Sequence, residues 1–460
     1  MEINIKDYKH IYMVGIGGIS MSGIAVILKK WDYTVSGSDG VKSNQTDWLE
    51  ENGIKVNIGQ VKENITEDID LIVYTAAVKQ DNPELVRAKE LNIPTVERGM
   101  FLGELTKLFK DTIGIAGTHG KTSTTSMVAS AFLEAEYDPS IQIGAILKAI
   151  DGNYRVGNSD YFIIEACEYC DSYLNFHQRS AIVLNIDNDH LDYFGNIDNI
   201  VKSFQKYVSM LPEDGYLVLN RDDERCYDLR NNTKANVITV GSTSDADWHY
   251  DNVTFDDDGY PTYDVYKKDE CVGSITLRVA GMHNVSNSLA CVALCDAYGI
   301  SVDTVAKALI KFDGASRRLE RKGELNGAKV YDDYGHHPTE IMATVKGIKN
   351  KKYNESWVVF EPHTYSRLVE HLNEFALALV HFDHIIITDI YAAREVNTYG
   401  IKEQDLMDKL KELGKESIHI SNHDEILEYL KDNVKENDLI LTLGAGNVTK
   451  IADKIKKMTE

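Results

Sequence analysis

Seven consecutive residues, Gly117, Thr118, His119, Gly120, Lys121, Thr122 and Ser123, have the make-up of a loop that grips phosphate. Two glycines let backbone N–H groups turn toward an anion, Lys121 adds a mobile positive charge for β- and γ-phosphates, and Thr122 offers a hydroxyl to Mg²⁺. Ile115 stands where the strict P-loop pattern has its first glycine, so this is a shortened variant. A nucleoside triphosphate is the expected ligand. Two polar clusters follow: Glu165 closes the apolar run YFII, and Asp187, Asp189, His190 and Asp192 follow AIVLNI. Ligands of open α/β sheets gather beyond the carboxyl ends of strands, so Glu165 and His190 are expected to face the nucleotide. Mg²⁺ takes oxygen ligands and water, which suits Glu165 better than His190.

Further along, Asn284 and Asn287 sit three residues apart in GMHNVSNSLA, spaced either to meet an adenine edge from one helix face or simply to cap a helix. Arg317 and Arg318 in GASRRLE could stabilise charge on a transferring γ-phosphate. Asp333, His336, His337, His363, Arg367 and Arg394 fall at strand ends in the last third of the chain, a set suited to a pocket that binds a small carboxylate through arginine. A second glycine turn, GIGGIS, supplies Gly15, Gly17 and Gly18, with Ser20 where a dinucleotide fingerprint has its third glycine and Asp39 about twenty residues on. That turn leaves three readings open: NAD(P), another diphosphate-containing ligand, or a structural turn.

The elements that must position these residues read as three α/β series. IYMVG, YTVSGSD, KVNIG and DLIVYTAAV alternate with helical stretches up to about residue 110, which argues for a parallel, doubly wound sheet. TIGIAG opens a second series, continued by YFIIEAC, AIVLNID and GYLVLN. Residues 248–280 alternate over hairpin lengths and predict an antiparallel insertion, and a third series after about residue 315 contains WVVFEP, HIIITDI and DLILTLGAGN. Acidic residues number 72 against 49 basic ones, a net charge of −23, which argues against nucleic acid or anionic membrane as partner. The charge also requires that any phosphate ligand be gripped locally. The acidic, signal-free N-terminus predicts a cytoplasmic location. CEYC at Cys167–Cys170 has half-zinc-site spacing, but its only possible complement, CVALC at Cys291–Cys295, lies in a helical pattern, so core packing is preferred to zinc.

Taken in order, GIGGISMSGIA, SGSD, GTHGKTSTT, EACEYCDSYL, NIDNDHLDYF, GMHNVSNSLA, FDGASRRLE, YDDYGHHPTEI, PHTYSR, IYAARE and GAGN resemble the Mur ligase family of peptidoglycan synthesis. The resemblance covers nearly the whole chain, and GTHGKT and YGHHPTE are its most specific parts. It implies an α/β fold in three domains: a Rossmann-like UDP-sugar-binding domain (1–110), a central P-loop ATPase-like domain that binds ATP (111–315) and a C-terminal Rossmann-like domain that binds the amino acid (316–460). The two glycine turns would then serve two different nucleotides. The implied activity is ATP- and Mg²⁺-dependent coupling of L-alanine to the lactyl carboxylate of UDP-N-acetylmuramate; a sister ligase adding another amino acid or a peptide is the alternative.

Carried over position by position, the resemblance implies that Gly117 through Ser123 bind ATP phosphates and that Thr122, Glu165 and His190 form the magnesium region. Asn284 and Asn287 would lie on the adenine side, Arg318 near the γ-phosphate and Asp333 beside the nucleotide. Tyr334 and His336 would contact adenine and amino acid, Arg367 the alanine carboxylate, and Gly15, Gly17, Gly18, Ser20 and Asp39 the UDP portion. Lys121, Glu165, His190 and Arg318 are the expected catalytic set. Three positions depart from the family pattern: Thr364 stands where some relatives have arginine, neither Lys202 nor Lys206 aligns with the carbamylated lysine of sister ligases, and cysteines in EACEYCDS leave Glu168 and Asp171 without an assigned role.

Overall fold

The strands form three sheets; one buried apolar cluster runs through the first and second, and the third is packed on both faces by clusters of its own. The computed structural model describes residues 3–459 apart from 76, 315, 350 and 394, and the side chains of 192 and 459 also lie outside the description. The candidates Arg394 and the Asp192 side chain therefore lie outside the described residues. The first sheet contains β1 (His10–Val14), β2 (Thr34–Asp39), β3 (Lys55–Ile58), β4 (Leu71–Tyr74) and β5 (Thr95–Glu97) in the order β3-β2-β1-β4-β5. All its pairings are parallel. Strand order reverses at β1, so the crevice at a topological switch point opens beyond Val14, where Gly15–Gly18 begin.

The second sheet contains β6 (Asp111–Ala116), β7 (Ser140–Leu147), β8 (Gly152–Arg155), β9 (Tyr161–Glu165), β10 (Ser180–Val183), β11 (Tyr216–Asn220), β12 (Asn236–Gly241), β13 (Trp248–Phe255), β14 (Pro261–Lys267) and β15 (Glu270–Thr276). Its order is β15-β14-β13-β12-β11-β10-β6-β9-β7-β8. Strand β6 lies between β9 and β10, parallel to both, and every one of its residues is buried. A strand covered on both faces needs a continuous apolar run, and TIGIA provides one. Gly114 within it has no room for a side chain, because an added Cβ would come 2.4 Å from the Tyr207 hydroxyl. The expected insertion is the three-strand series β13–β15, joined by short turns.

The third sheet contains β16 (Glu320–Leu325), β17 (Ala328–Asp333), β18 (Ser356–Phe360), β19 (His384–Ile387), β20 (Ile418–His419) and β21 (Leu439–Leu443), in the order β16-β17-β21-β18-β19-β20. It is parallel except for the β16–β17 hairpin. Its apolar residues divide between the two faces: Val358, Phe360, Leu441 and Leu443 pack on one, Val359, Ile386 and Ile440 on the other. Full burial of side chains this size contributes roughly 1.5–3 kcal/mol each before conformational entropy is charged. Two compact units result, one of Met1–Asp251, Val265–Gly273 and Ser286–Leu309, the other of Asn252–Asp264, Ser274–Val285 and Ile310–Glu460. The first sheet and the second as far as β12 fall in the first unit, while β13, β14 and β15 are each divided between the two. No helix among the described residues is long and apolar enough to cross a membrane.

Candidate functional site

In the first unit the phosphate-type loop joins β6 to the helix Lys121–Glu134, as the motif requires. Gly117 has φ +133° and Gly120 has φ +86°, both in the region that side chains avoid. A Cβ at Gly117 would meet Leu184 Cβ at 3.0 Å, and one at Gly120 would meet the Asn287 amide at 3.0 Å. The helix begins with residues of modest helix propensity, and two of their hydroxyls bond back within it: Thr125 donates to the Lys121 carbonyl and Ser126 to that of Thr122, both at 2.8 Å. The end of β10 braces the loop from outside. Asn185 accepts from His119 N–H at 2.8 Å and donates to the His119 carbonyl at 3.0 Å, while the Thr118 hydroxyl accepts from Asp187 N–H at 2.9 Å.

Lys121 is held inside this loop. Its Nζ donates to the carbonyls of Gly117 at 2.7 Å and Thr118 at 2.9 Å and to Glu168 Oε1 at 3.1 Å. Glu168 is 2% exposed. Burial alone would lower the lysine's pKa, but the nearby carboxylates, Glu168 foremost, outweigh it and hold Lys121 above the usual lysine range. Glu168 Oε2 is 3.0 Å from the same nitrogen but outside hydrogen-bond geometry, which leaves that oxygen a lone pair for another cation.

The structure sorts the magnesium candidates into two groups. Thr122 Oγ1 donates to Glu165 Oε1 at 3.0 Å, and Glu165 Oε2 accepts from Gly144 N–H at 2.8 Å. His190 gathers instead with Glu168 and Asp189, their ligand atoms all within 4.8 Å of one another. The His190 backbone is left-handed at φ +51°, and its ring lies 4.6 Å from that of Tyr169. Oxygen donors predominate in both groups, which fits a hard divalent cation. No such cluster among the described residues includes a cysteine; Cys291 and Cys295 are buried on the helix Met282–Ala297 with sulfurs 3.9 Å apart, as core packing requires. On that helix, Asn287 reaches Gly120, whereas Asn284 Nδ2 donates to the Ala280 carbonyl at 2.8 Å, which ties the helix start to the preceding turn.

The N-terminal turn belongs to the same unit. Gly15 has φ +82°, and its N–H donates to the Ser38 carbonyl at 2.8 Å. Asp39 Oδ2 accepts from Gly17 N–H at 2.9 Å and so holds the turn itself. Gly18 caps the helix Ile19–Lys30 without a side-chain hydrogen bond. Ser20 Oγ accepts from Arg98 and Gln142, neither of which stood out in the sequence.

In the second unit, Asp333 at the end of β17 accepts from the N–H groups of Leu319 and Gly335, each at 2.7 Å. Burial raises its carboxyl to about 6, against the pull of Arg318. The two arginines differ. Arg317 is tied to the carbonyls of Gly444 and Ala445 and lies 3.4 Å from Asp332, while Arg318 is 3.8 Å from Glu340 and stacks over Tyr334 at 5.5 Å. His336 and His363 lie with ring centres 5.4 Å apart, and Arg367 meets His363 Nδ1 at 3.1 Å. Burial, reinforced by His336 and Arg367, lowers His363 to about 4. Asp333, His336, His363 and Arg367 are thus gathered at one end of the third sheet. His337 departs from that set: it caps the helix Pro338–Ile348, accepting from Thr339 N–H at 3.3 Å.

Three parallel-type sheets and a lysine-bearing glycine loop at a strand end define a modular nucleotide-dependent α/β enzyme. Family models match residues 10–110 (Mur ligase family, catalytic domain), 115–295 (Mur ligase middle domain) and 317–446 (Mur ligase, glutamate ligase domain). The UDP-N-acetylmuramate–L-alanine ligase of Acetivibrio thermocellus is 46% identical over 99% of this chain and 98% of its own, and that of Clostridium perfringens 43% identical over 98% and 99%. The crystal structure of the UDP-N-acetylmuramate–alanine ligase of Thermotoga maritima superposes with a TM-score of 0.84, at 29% identity over 98% of this chain and 99% of that one. A murein peptide ligase of Psychrobacter arcticus, 24% identical over 98% of each chain, shares the fold with a TM-score of 0.71. The chain belongs to the Mur ligase family, whose members are ATP-dependent ligases.

Proposed function

We propose that the chain joins L-alanine to the lactyl carboxylate of UDP-N-acetylmuramate, in the cytoplasm, at the expense of ATP. The observation that carries this reading is end-to-end identity of 43–46% with relatives from several organisms that bear that activity in their names. In this reading residues 1–110 hold the UDP-sugar, 111–315 hold ATP and 316–460 hold the amino acid. The lactyl carboxylate attacks the γ-phosphorus, ADP leaves, and an acyl phosphate results. The amine of L-alanine then adds to the acyl carbon, loses a proton, and phosphate departs with the former carboxylate oxygen.

The chain's own groups have distinct tasks in this scheme. Gly117 through Ser123 present backbone N–H groups to the phosphates, and Lys121 exchanges Glu168 for the γ-phosphate. Arg318, whose ion pair with Glu340 spans 3.8 Å, offsets charge on the moving phosphoryl group. Asn284 and Asn287 lie on the adenine side of the nucleotide. Asp333 keeps the turn bearing Arg318 and Tyr334 in place through its two N–H contacts. Arg367 and His336 receive the amino acid, and Gly15, Gly17, Gly18 and Ser20 receive the UDP portion, with Asp39 fixing their turn. Thr122, Glu165 and His190 would hold Mg²⁺, with Glu168 and Asp189 beside the histidine. Bound there, the ion would draw charge from the phosphate oxygens.

Phosphate release with UDP-N-acetylmuramate and ATP, measured across L-alanine, glycine, L-serine, D-glutamate and a tripeptide, tests the assignment. L-Alanine is expected to give the highest kcat/KM. A preference for D-glutamate or the tripeptide would transfer the chain to a sister activity.

A further inference from the structure

Two charged side chains without a task in the reaction scheme, Arg317 and Glu361, close on the same turn, residues 444–447 (GAGN), from opposite sides. The turn follows β21, which lies between β17 and β18 in the third sheet. From the β17 side, the Arg317 guanidinium donates to the carbonyls of Gly444 and Ala445, and its Nε lies 3.4 Å from Asp332, a fully buried residue of that strand. From the β18 side, Glu361 is 4% exposed and accepts from Val448 N–H at 3.3 Å, with the N–H groups of Gly446 and Asn447 also turned to it. A cation on the turn's carbonyls and a carboxylate on its N–H groups thus hold the two ends of one set of peptide dipoles. Both glycines are needed for the fit. A Cβ at Gly444 would come 2.7 Å from the Glu361 carbonyl oxygen, and one at Gly446 would come 2.6 Å from Tyr391 Cγ.

Each contact leads on to a residue of the proposed site. Arg317 has a left-handed backbone at φ +60°; its N–H donates to Glu320 Oε2 at 2.9 Å, and its carbonyl accepts from Tyr334 N–H at 2.7 Å. Anchoring its side chain therefore fixes the backbone that carries Arg318. Gly446 backs Tyr391, whose backbone pairs with Pro362 and Thr364 and whose ring lies 5.5 Å from that of His363, the partner of Arg367. We propose that Arg317 and Glu361 are positioning residues that clamp this turn between them, so that one strut holds both the phosphoryl-transfer arginine, Arg318, and the amino-acid pocket around Arg367. This rests on the activity proposed above. It also gives Arg317 a task other than contact with the γ-phosphate.

Steady-state kinetics with each substrate varied, together with the burst of ADP formed from ATP and UDP-N-acetylmuramate before L-alanine is added, test the clamp. Arg317→Met and Glu361→Leu are each expected to slow the burst and to raise KM for L-alanine, both by about tenfold or more, because a displacement near 1 Å at a reacting group costs up to about a hundredfold. KM for UDP-N-acetylmuramate should not change. Glu361→Gln, whose amide oxygen still accepts from the turn, is expected to recover most of the loss. Because both residues act through one turn, the double variant Arg317→Met/Glu361→Leu should be no worse than the poorer single one, whereas independent residues would multiply their effects. Wild-type values in both single variants, or multiplied losses in the double, would overturn the clamp and leave the proposed activity standing. A matching rise in KM for UDP-N-acetylmuramate would mark a general loss of structure and overturn it as well. If the wild type itself makes no ADP with UDP-N-acetylmuramate and L-alanine, the activity falls and the clamp with it. Should Glu361→Leu fail to fold by circular dichroism, Glu361→Asp, which retracts the same charge by one methylene, decides: a raised KM for L-alanine supports the clamp and an unchanged one overturns it.

Discussion

The lysine proposed to act in phosphate transfer is also half of a buried ion pair with Glu168, and the two roles must be separated before Lys121 can be tested. Losing a preorganised contact of this kind costs about 10²–10³ in kcat. Removing one partner of a buried pair also costs about 3–5 kcal/mol of stability, because the remaining charge is stranded. Lys121→Met alone is thus expected to be both inactive and less stable, with Glu168 left uncompensated. Adding Glu168→Gln should restore much of the thermal midpoint and none of the turnover; recovery of turnover would remove Lys121 from the catalytic set. Asp333 makes a prediction in pH. Its folded pKa, about 6, lies above the unfolded value of 3.8, so the folded chain keeps a proton that the unfolded chain has released. The resulting stability is fully present below about pH 4 and is lost as pH rises through about 6, up to about 3 kcal/mol. The stability of the wild type minus that of Asp333→Asn, read from urea midpoints, should therefore fall as pH rises from 4.5 to 7.5. A difference independent of pH would refute the assignment.

At the scale of elements, the loop between β6 and its helix works because glycine supplies both a left-handed backbone and clearance. Gly120→Ala would be strained at φ +86° and would push its methyl against the Asn287 amide. Strain of this kind costs on the order of 1–3 kcal/mol, so affinity for an ATP analogue is expected to fall by about 5- to 150-fold; unchanged affinity would show that the loop is not the nucleotide's seat. Elements of this type were legible in the sequence because a parallel strand buried on both faces leaves a continuous apolar run, as in TIGIA, FIIE and LILTL. Strands with one wet face or an edge position left no such mark. Glu320–Leu325, sequence ERKGEL, reads as a polar connection yet pairs with β17 as a hairpin. Strands β7 and β8, an edge pair that is antiparallel and irregular in register, were equally hidden, and Gln142 with them. Within the site, residue types announced Lys121, Glu165 and Arg367, whereas partner choice did not follow from type. Asp39 turned to Gly17, His337 to its own helix and Glu168 to Lys121, each decided by contacts 2 to 47 residues away.

For the whole molecule, a net charge of −23 must work against the approach of two nucleotides. Long-range repulsion is screened over about 10 Å at 0.1 M salt, while contacts inside a partly buried loop are screened much less. Raising KCl from about 20 to about 200 mM is accordingly expected to lower KM for both nucleotide substrates, and a rise would place their recognition on exposed charges. All of these roles depend on activation of the sugar acid by phosphoryl transfer. The measurement that tests this most directly uses UDP-N-acetylmuramate carrying ¹⁸O in its lactyl carboxylate, turned over with ATP and L-alanine, with the released phosphate analysed by mass. One labelled oxygen in that phosphate is the predicted result; label confined to the peptide product and water would contradict it.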